Sequence, residues 1–330
     1  MSVQKALFEK IKPMIPANKS LAEYLGNVLY LSSDSVYRRL RGETQLSIDE
    51  LKAICEHFGL SADSLIDVNN AGKTFPFRVS AMAKGLTLFD FLMGLKKELT
   101  ELNNTPGAYS IYSERVIPFF YTLMLPGLFH FKCHLWGQVY DPSPEFLMAR
   151  NEKNDGNNDL RGLANEVLGL YCKLPSIEIW NSESITGMLY QIEFYKNSRY
   201  FSSLQEIFEL YDEVDELLLH LEKQAEVGCK FLPGENPAYK PDNYKLYLNQ
   251  ISLVDNLILT KTSVQTKVFI IFGVMNFLTT TEVSFCEEAE EYLTGLVRRS
   301  SLISIENIKM RSIFFNDLHE RVDRSRKKLL

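Results

Sequence analysis

The sequence predicts a mainly helical α+β protein with a small antiparallel sheet near the C-terminus. Most segments between turn-rich breaks repeat apolar residues at helical spacing, and the clearest case is residues 203–227, with apolar side chains at 204, 207, 208, 211, 214, 217, 218 and 221. Residues 244–279 differ, because Val, Ile and Phe are concentrated there in short runs separated by Lys, Thr and Ser. That segment predicts two or three strands.

The composition is that of a globular chain large enough for two or three domains. Of the 330 residues, 45% are hydrophobic and 24% are charged. A formal net charge of −6 excludes coating of nucleic acid by bulk charge, but it allows a local basic face. The sequence has no secretory signal and no apolar run of the roughly 20 residues that a membrane helix needs, so we expect a cytoplasmic protein without a membrane partner.

Polar, turn-rich stretches divide the chain at residues 67–74, 151–162 and 231–243. The second reads as an exposed loop, and the third contains three prolines and cannot form one continuous helix. We therefore expect a compact domain at residues 1–70, a helical sensor or oligomerisation region at 75–230, and a small α+β region at 240–330.

Start and stop signals for short helices follow one another in residues 20–66. Ser20 with Glu23 and Ser47 with Glu50 have the spacing of a capping box, and Gly26 is placed to end a helix. The helix after Ser47 is expected to bury a stripe made of Ile48, Leu51, Ile54, Cys55 and Phe58. A short closing helix is expected after Ser61. These signals predict a compact bundle of short helices.

The helix predicted at residues 34–41, with Ser32 or Ser33 as its cap, is unusually polar. Val36 and Leu40 lie one turn apart and can hold it to the bundle. The side chains expected to face outward are candidates for contact with DNA: Ser33, Asp34, Ser35, Tyr37, Arg38, Arg39 and Arg41. Arginines preceded by small hydroxyls suit a helix in the major groove, because the guanidinium can donate to guanine edges or to phosphates.

Three segments resemble a known family. LAEYLG (21–26), SSDSVYRRLRGE (32–43) and IDELKAICEHFGLSADSLI (48–66) are similar to the helix-turn-helix of phage-repressor-like (Xre/Cro type) bacterial transcription regulators. The resemblance implies a lambda-repressor-like helical bundle that recognises double-stranded DNA with the helix at 34–41. Residues 27–31 (NVLYL) depart from the family pattern, since they lengthen the predicted turn by about four residues.

Charge alone does not favour DNA binding, because residues 1–70 contain 8 Lys and Arg against 9 Asp and Glu. The arginines are nevertheless concentrated on one helix, so we interpret the protein as a sequence-specific DNA-binding transcription regulator. The alternatives are a bundle that contacts another protein, and an unrecognised enzyme in residues 75–330 fused to a DNA-binding domain. The sequence has no nucleophile elbow, P-loop, GxGxxG or HExxH motif, so we expect no enzymatic activity and no cofactor.

The region after residue 75 leaves further alternatives open. The aromatic run at 116–136 either forms a helical core or lines a pocket for an apolar effector. Its His130, Cys133 and His134 are expected to pack in that core rather than to bind a metal. The helix at 203–227 has a dimer-seam spacing at 207, 211, 214, 218, 221 and 225, but its wider stripe favours burial in a bundle.

Surplus apolar residues at 203–227 and in a final helix at 305–328 also predict a homodimer assembled through the C-terminal region. The effector of such a dimer would be an unknown small molecule or protein.

Overall fold

The computed structural model describes residues 2–16, 19–60, 62, 75–80, 87–140, 157–198, 200–236, 243–251, 256–273 and 275–328. The chain divides into two units, Met1–Phe77 and Arg78–Leu330. The α+β class predicted from the sequence is confirmed, because a helical N-terminal unit is followed by a unit that contains both helices and a sheet.

Short helices around a small apolar core form the N-terminal unit. They are α1 (Val3–Ile11), α2 (Leu21–Leu29), α3 (Ser33–Leu40) and α4 (Ile48–Phe58), with a 3-10 turn at Lys12–Met14. Each helix begins after a serine whose hydroxyl accepts a hydrogen bond from a backbone N–H of the first turn, which satisfies a donor that has no partner within the helix. The buried core comprises Leu7, Phe8, Ile11, Ala22, Leu25, Val36, Ile54 and Cys55.

Two details predicted for this unit are wrong. Gly26 does not end the second helix, because α2 continues to Leu29 and closes with Tyr30 in the left-handed conformation at φ 55°. Ile48 does not join the buried stripe of α4, since it is the first residue of the helix and 85% exposed. Apart from residue 62, the helix predicted after Ser61 lies outside the described residues, as does the turn-rich stretch at 67–74.

Helices and strands alternate in the second unit. Its helices are α5 (Leu88–Asn103), α6 (Pro126–Tyr140), α7 (Asn157–Lys173), α8 (Thr186–Asn197), α9 (Leu204–Val227), α10 (Val283–Arg298) and α11 (Ile308–Lys327), with a 3-10 turn at Phe119–Leu123. Its strands are β1 (Arg78–Ser80), β2 (Tyr109–Glu114), β3 (Ser176–Trp180), β4 (Tyr244–Leu248), β5 (Asn256–Lys261), β6 (Thr266–Phe272), β7 (Asn276–Thr280) and β8 (Ser301–Leu302).

The described strands form one mixed sheet in the order β1-β7-β6-β5-β2-β3-β4-β8. The pairs β2–β3 and β3–β4 are parallel, and the other neighbours are antiparallel. Parallel neighbours need a crossover connection, which α6 and α7 provide for the first pair and α8 and α9 for the second. The sheet is therefore larger than the small antiparallel one that the sequence predicts.

Helices cover both faces of this sheet. Successive residues of a strand point to opposite faces. Ile111 and Ile179 pack on the face covered by α10, where Leu293 is fully buried. Tyr112 and Trp180, one residue later in each strand, belong to the larger core formed with α5–α9 and α11.

Strands β2 and β3 lie within residues 75–230, which the sequence predicts as a helical region. Both are short, with six and five residues, and β3 has Glu178 at a fully buried position. A buried carboxyl interrupts the apolar pattern by which a strand is recognised in a sequence. The sheet also joins these strands to strands after residue 240, so the predicted boundary between 75–230 and 240–330 falls within one sheet.

Helix α7 begins at Asn157, inside the stretch at 151–162 that the sequence predicts as an exposed loop. Leu160 packs against the core, and Arg161 donates hydrogen bonds to the carbonyl oxygens of Leu123 at 2.7 Å and Met124 at 2.9 Å. These tertiary contacts stabilise a helical turn whose Asn and Asp residues by themselves favour a loop. Residues 151–156 lie outside the described residues.

The predicted seam of α9 is buried inside the subunit. Its positions 207, 211, 214, 218, 221 and 225 are all buried, and α9 packs against α11 with the hydroxyls of Tyr211 and Ser325 2.8 Å apart. In α11, Ile308 and Ile313 are exposed, but the other apolar residues of its predicted stripe (Phe314, Phe315, Leu318, Val322) are buried. The bundle interpretation of α9 is thus correct, and most of the apolar surface on which the homodimer prediction rested is already covered.

Within the described residues, no helix is long and apolar enough to cross a membrane. In the same part of the chain, no three His, Cys, Asp or Glu side chains are grouped so that they could hold a metal ion. The imidazole of His134 instead packs against Tyr200, with ring centroids 4.2 Å apart, and Cys133 is a free thiol.

Candidate DNA-binding surface of the N-terminal unit

Helices α2 and α3 are joined by a tight turn of three residues, Tyr30 to Ser32. The backbone N–H groups of Tyr30 and Leu31 both donate to the carbonyl oxygen of Gly26, the latter at 2.9 Å. A Cβ at position 26 would lie only 2.9 Å from the carbonyl oxygen of Leu31. The residues that appeared to lengthen the turn therefore extend α2, and the connection has the length usual for a helix-turn-helix.

Replacement of Gly26 by alanine should therefore destabilise the N-terminal unit, although alanine is the better helix former. The methyl group would force the turn away from α2, at a cost we expect to exceed the roughly 1 kcal/mol gained in helix propensity. Thermal unfolding followed by circular dichroism measures the effect. Gly295 is a matched control, because it is a helical glycine of α10 with open space around its Cβ. An equal gain in stability at both positions would contradict the close approach.

Most of the predicted contact residues lie on the free face of α3. Val36 is 1% exposed and anchors the helix to the core together with the half-buried Leu40. Five of the candidates are exposed: Ser33, Asp34, Tyr37, Arg38 and Arg41. Ser35 is half-buried, and its hydroxyl accepts a hydrogen bond from that of Ser32 at 3.0 Å. The outward face predicted from the sequence is thus present, apart from Ser35 and Arg39.

Arg39 points toward α4 rather than outward. Its Nε and Nη2 donate to the two carboxylate oxygens of Glu50 at 3.1 and 2.7 Å, and its Nη1 donates to the carbonyl oxygen of Ser35 at 3.1 Å. The two side chains are only 15% and 18% exposed. Burial acts to raise the pKa of Glu50, but the hydrogen bonds from Arg39 and from the Ser47 backbone hold that pKa below its ordinary value. Arg39 therefore positions α3 and does not belong to the free face.

Glu50 also completes the predicted capping box. Its backbone N–H donates to the Ser47 hydroxyl at 3.1 Å, and its carboxylate accepts from the backbone N–H of Ser47 at 2.9 Å. The capping spacing is visible in the sequence, but the additional pairing with Arg39 requires the folded bundle. The same carboxylate thus ties the start of α4 to the last turn of α3.

A buried glutamine fixes the end of α3 from the other side. Gln4 of α1 donates from Nε2 to the carbonyl oxygens of Arg39 at 2.7 Å and Thr44 at 3.0 Å. Its Oε1 accepts a hydrogen bond from the backbone N–H of Leu46 at 2.8 Å. These three hydrogen bonds join α1 to the last turn of α3 and to the connection between α3 and α4. A single glutamine in an N-terminal helix gives no sequence signal for this role.

Replacement of Arg39 by alanine should destabilise the unit by about 1–3 kcal/mol, because a charge-assisted bidentate contact is lost and Glu50 stays partly buried. Replacement of Arg38 by alanine should leave the stability within about 0.5 kcal/mol, because its side chain is 57% exposed. Urea unfolding of the two variants measures the difference. Because folding lowers the pKa of Glu50, its pairing with Arg39 stabilises the fold fully at pH values above the ordinary carboxyl pKa. This stabilisation is lost as the pH falls through the lowered pKa of Glu50. Equal unfolding midpoints would contradict the assignment of Arg39 as a positioning residue.

Glu43 partly neutralises the free face. Arg41 donates to both of its carboxylate oxygens, from Nε at 2.6 Å and from Nη2 at 3.2 Å, and Arg38 Nε lies 3.8 Å from the same carboxylate. The hydrogen bond from Arg41 lowers the pKa of Glu43, so the carboxylate stays ionised. Exposed pairs of this kind are weak, and a phosphate group can replace the carboxylate. This contact was not predicted from the sequence, although Glu43 lies only two residues after Arg41.

Comparison with known proteins finds a family model that matches the N-terminal part of the chain. Residues 7–91 match the model of a family described as the BetR domain, which is associated with helix-turn-helix DNA-binding regulators. No curated protein and no solved structure matches the chain. The matched range includes helices α2 to α4 and all the candidate residues on α3. The N-terminal part of the chain is therefore similar to a domain of DNA-binding regulators.

Proposed function

We propose that the protein is a sequence-specific DNA-binding transcription regulator whose recognition helix is α3 (Ser33–Leu40). The observation that supports this most is the arrangement of α3 after a three-residue turn, anchored by Val36 and fixed by Arg39 while Arg38 and Arg41 remain exposed. A rigidly held helix with a free polar face is what the major groove admits. The BetR match over residues 7–91 supports the same class of function.

The exposed side chains suggest a division of roles. Arg38, in the middle of the free face, is suited to donate to a guanine edge, and Tyr37 adds an aromatic contact beside it. Ser33 at the helix start and Arg41 at its end are suited to phosphates, which fix the register without reading sequence. Asp34 can accept from a cytosine amino group and disfavours phosphate at that point. Glu43 must release Arg41 when DNA binds.

The near-neutral charge of residues 1–70 makes one module a weak binder, so a homodimer remains part of the proposal. Two recognition helices would then contact half-sites about 34 Å, or one DNA turn, apart. The larger unit would supply both the self-association and the response to an effector.

Selection of bound duplexes from a randomised DNA library by the full chain tests the proposal. The expected result is one enriched motif, bound with an affinity that falls as the salt concentration rises. A two-fold symmetric motif with half-sites one turn apart would support the dimer, and a single half-site would contradict it. Failure to enrich any motif, together with no binding of random duplex at low salt, would overturn the proposed function and favour the protein-interaction alternative.

Replacement of Glu43 by glutamine sharpens this experiment. Because Glu43 competes with phosphate for Arg41, the variant should bind the selected duplex roughly two- to five-fold more tightly. Glu56→Gln is the matched control, since Glu56 lies in the same unit and pairs with Lys52 rather than with α3. The two variants change the net charge equally. An equal gain in both would show an effect of net charge only and would contradict the role of α3.

A further inference from the structure

The second unit contains a cavity of about 660 Å³ between α5, the sheet, the 3-10 turn at Phe119–Leu123 and helices α6 and α8. This volume is within the roughly 300–1,000 Å³ typical of small-molecule sites. Its wall is unusually aromatic: Phe91 stacks with Phe277 at 6.1 Å between ring centroids, and Phe119 packs against Trp136 at 4.9 Å. Arg115, which is exposed, lines the cavity as well, so the cavity opens to solvent.

Lys132 of α6 brings a positive charge to this apolar wall. The side chain lines the cavity, and the residue is only 7% exposed. Burial lowers its pKa to about 8, so the amine is still mostly protonated at neutral pH. Within the described part of the chain, its one hydrogen-bond acceptor is the uncharged Oε1 of Gln191 at 2.5 Å. An ammonium group has three donors, so most of its bonding capacity is left for another partner.

Two other lysines of the second unit have a carboxylate counter-charge that Lys132 lacks. Lys267 also lines the cavity, but it donates to both carboxylate oxygens of Glu98 at 2.7 and 2.9 Å. Lys230 lies outside the cavity, where its Nζ is 3.6 Å from the Tyr171 ring centroid and Glu178 acts to raise its pKa. No carboxylate contributes in this way to the pKa of Lys132. A buried charge without a counter-charge is costly unless a ligand provides one.

We propose that this cavity binds a small molecule with an aromatic or otherwise apolar body and one carboxylate or similar monoanionic group, which pairs with Lys132. Among the cations that line the cavity in the described residues, Arg115 is exposed and Lys267 is paired with Glu98, so Lys132 is the buried one without a carboxylate partner. One ammonium group fits a monoanion better than a phosphate, which takes several donors or an arginine fork. Glu114 opposes this ligand little, because burial, and next the nearby Glu178, raise its pKa to about 8 and keep it mostly uncharged at neutral pH. The site goes beyond the proposed DNA binding and does not depend on it.

A pair of fluorescent probes that differ only in one sulfonate group tests the site in the full chain. Anilinonaphthalene sulfonate is the monoanion, and phenylnaphthylamine is its uncharged parent. In the Lys132→Met variant, the anionic probe should bind roughly ten-fold or more weakly, because a charge-assisted contact is lost, whereas the neutral probe should bind within about two-fold of its wild-type affinity. Lys97→Met is the matched control, since Lys97 is exposed on α5 and does not line the cavity.

A second variant shows whether the probes occupy this cavity. Gly94 lies on the cavity-lining face of α5, between Phe91 and Glu98, and nothing is within 4 Å of its Cβ position. Gly94→Leu should therefore displace both probes while the helix is retained. Gly295→Leu, on α10 outside the cavity, adds the same side chain and should leave both affinities unchanged.

The results separate the site from general adsorption. Loss of the anionic probe alone in Lys132→Met, and of both probes in Gly94→Leu, supports the proposal. The proposal is overturned if Lys132→Met weakens both probes equally, if Gly94→Leu weakens neither, or if neither probe binds the wild-type chain. Lys132→Met should melt no lower than the wild type, because methionine removes an uncompensated buried charge. A lower melting temperature together with unchanged anion selectivity would show that Lys132 has only a structural role.

Discussion

Replacement of Glu178 by alanine should destabilise the second unit by roughly 3–5 kcal/mol, the largest loss of stability that we expect from a single substitution. Glu178 is fully buried in β3 at the centre of a polar cluster. Its Oε1 accepts hydrogen bonds from the hydroxyls of Tyr121, at 2.8 Å, and Tyr171, and its Oε2 accepts from Trp180 Nε1 at 3.0 Å. The hydroxyl of Tyr244 lies 3.4 Å from the same Oε2. Alanine would leave these buried donors without their acceptor.

The charge of Lys230 adds to this cost. Burial raises the pKa of Glu178, and Lys230 acts in the opposite direction. Burial likewise lowers the pKa of Lys230 to about 8, and Glu178 partly offsets that shift. Loss of the carboxylate would leave the buried amine without its counter-charge. Combining Glu178→Gln with Lys230→Met removes both charges and keeps an acceptor, so this double variant should recover part of the stability.

Tryptophan fluorescence during urea unfolding measures the effect in the second unit alone, since the chain has 2 tryptophans, Trp136 and Trp180, and both lie there. Because Trp180 belongs to the cluster, circular dichroism should be recorded in parallel. Glu183→Ala serves as a control, because Glu183 is exposed and its ion pair with Arg321 lies at the protein surface. An unfolding midpoint for Glu178→Ala close to that of the control would refute the assigned role of the cluster.

The second large effect is expected in DNA binding. Simultaneous replacement of Arg38 and Arg41 by alanine should lower the affinity for the selected duplex roughly 10- to 100-fold, since one base contact and one phosphate contact are lost. The fold should persist, because both side chains are more than half exposed. Electrophoretic mobility shift at several salt concentrations measures the loss and should also show a smaller salt dependence.

Two comparisons make this prediction specific to α3. Lys52→Ala removes an exposed cation from α4 of the same unit, and it should change the affinity by less than about three-fold. Arg38→Ala alone should relax the selected motif at one position, whereas Arg41→Ala alone should weaken all sequences alike. Wild-type affinity in the folded double variant would remove α3 from the interface.

Local signals in the sequence account for most of the N-terminal unit. Ser47 and Glu50 form the predicted capping box, and Val36 anchors the polar helix as its spacing suggests. The sequence was less informative where two segments meet. The pairing of Arg39 with Glu50 joins residues 11 positions apart on different helices, so one of the three predicted arginines proved to be structural.

In the second unit, local signals are weaker. The strands after residue 244 were recognisable because branched and aromatic residues are concentrated there. Strands β2 and β3 were missed, because each is short and β3 buries a carboxylate that is tolerated only where Tyr121, Tyr171 and Trp180 converge on it. From the sequence, a cavity was one of two interpretations of the aromatic run at 116–136. The run alone could not decide between them, because α5 and the sheet form the rest of the cavity wall.

The sequence by itself determined the starts of α2 and α4, the polar face of α3 and the α+β class, because capping, periodicity and β-propensity act within a few residues. The tertiary structure decided which arginines of α3 remain exposed and which apolar helix faces are buried inside the subunit. It also decided which groups surround the buried side chains of Lys132 and Glu178. Those outcomes depend on contacts between residues far apart in the chain. A hydrogen bond or a desolvation cost is set by whichever group the fold places opposite, and no local pattern specifies that group.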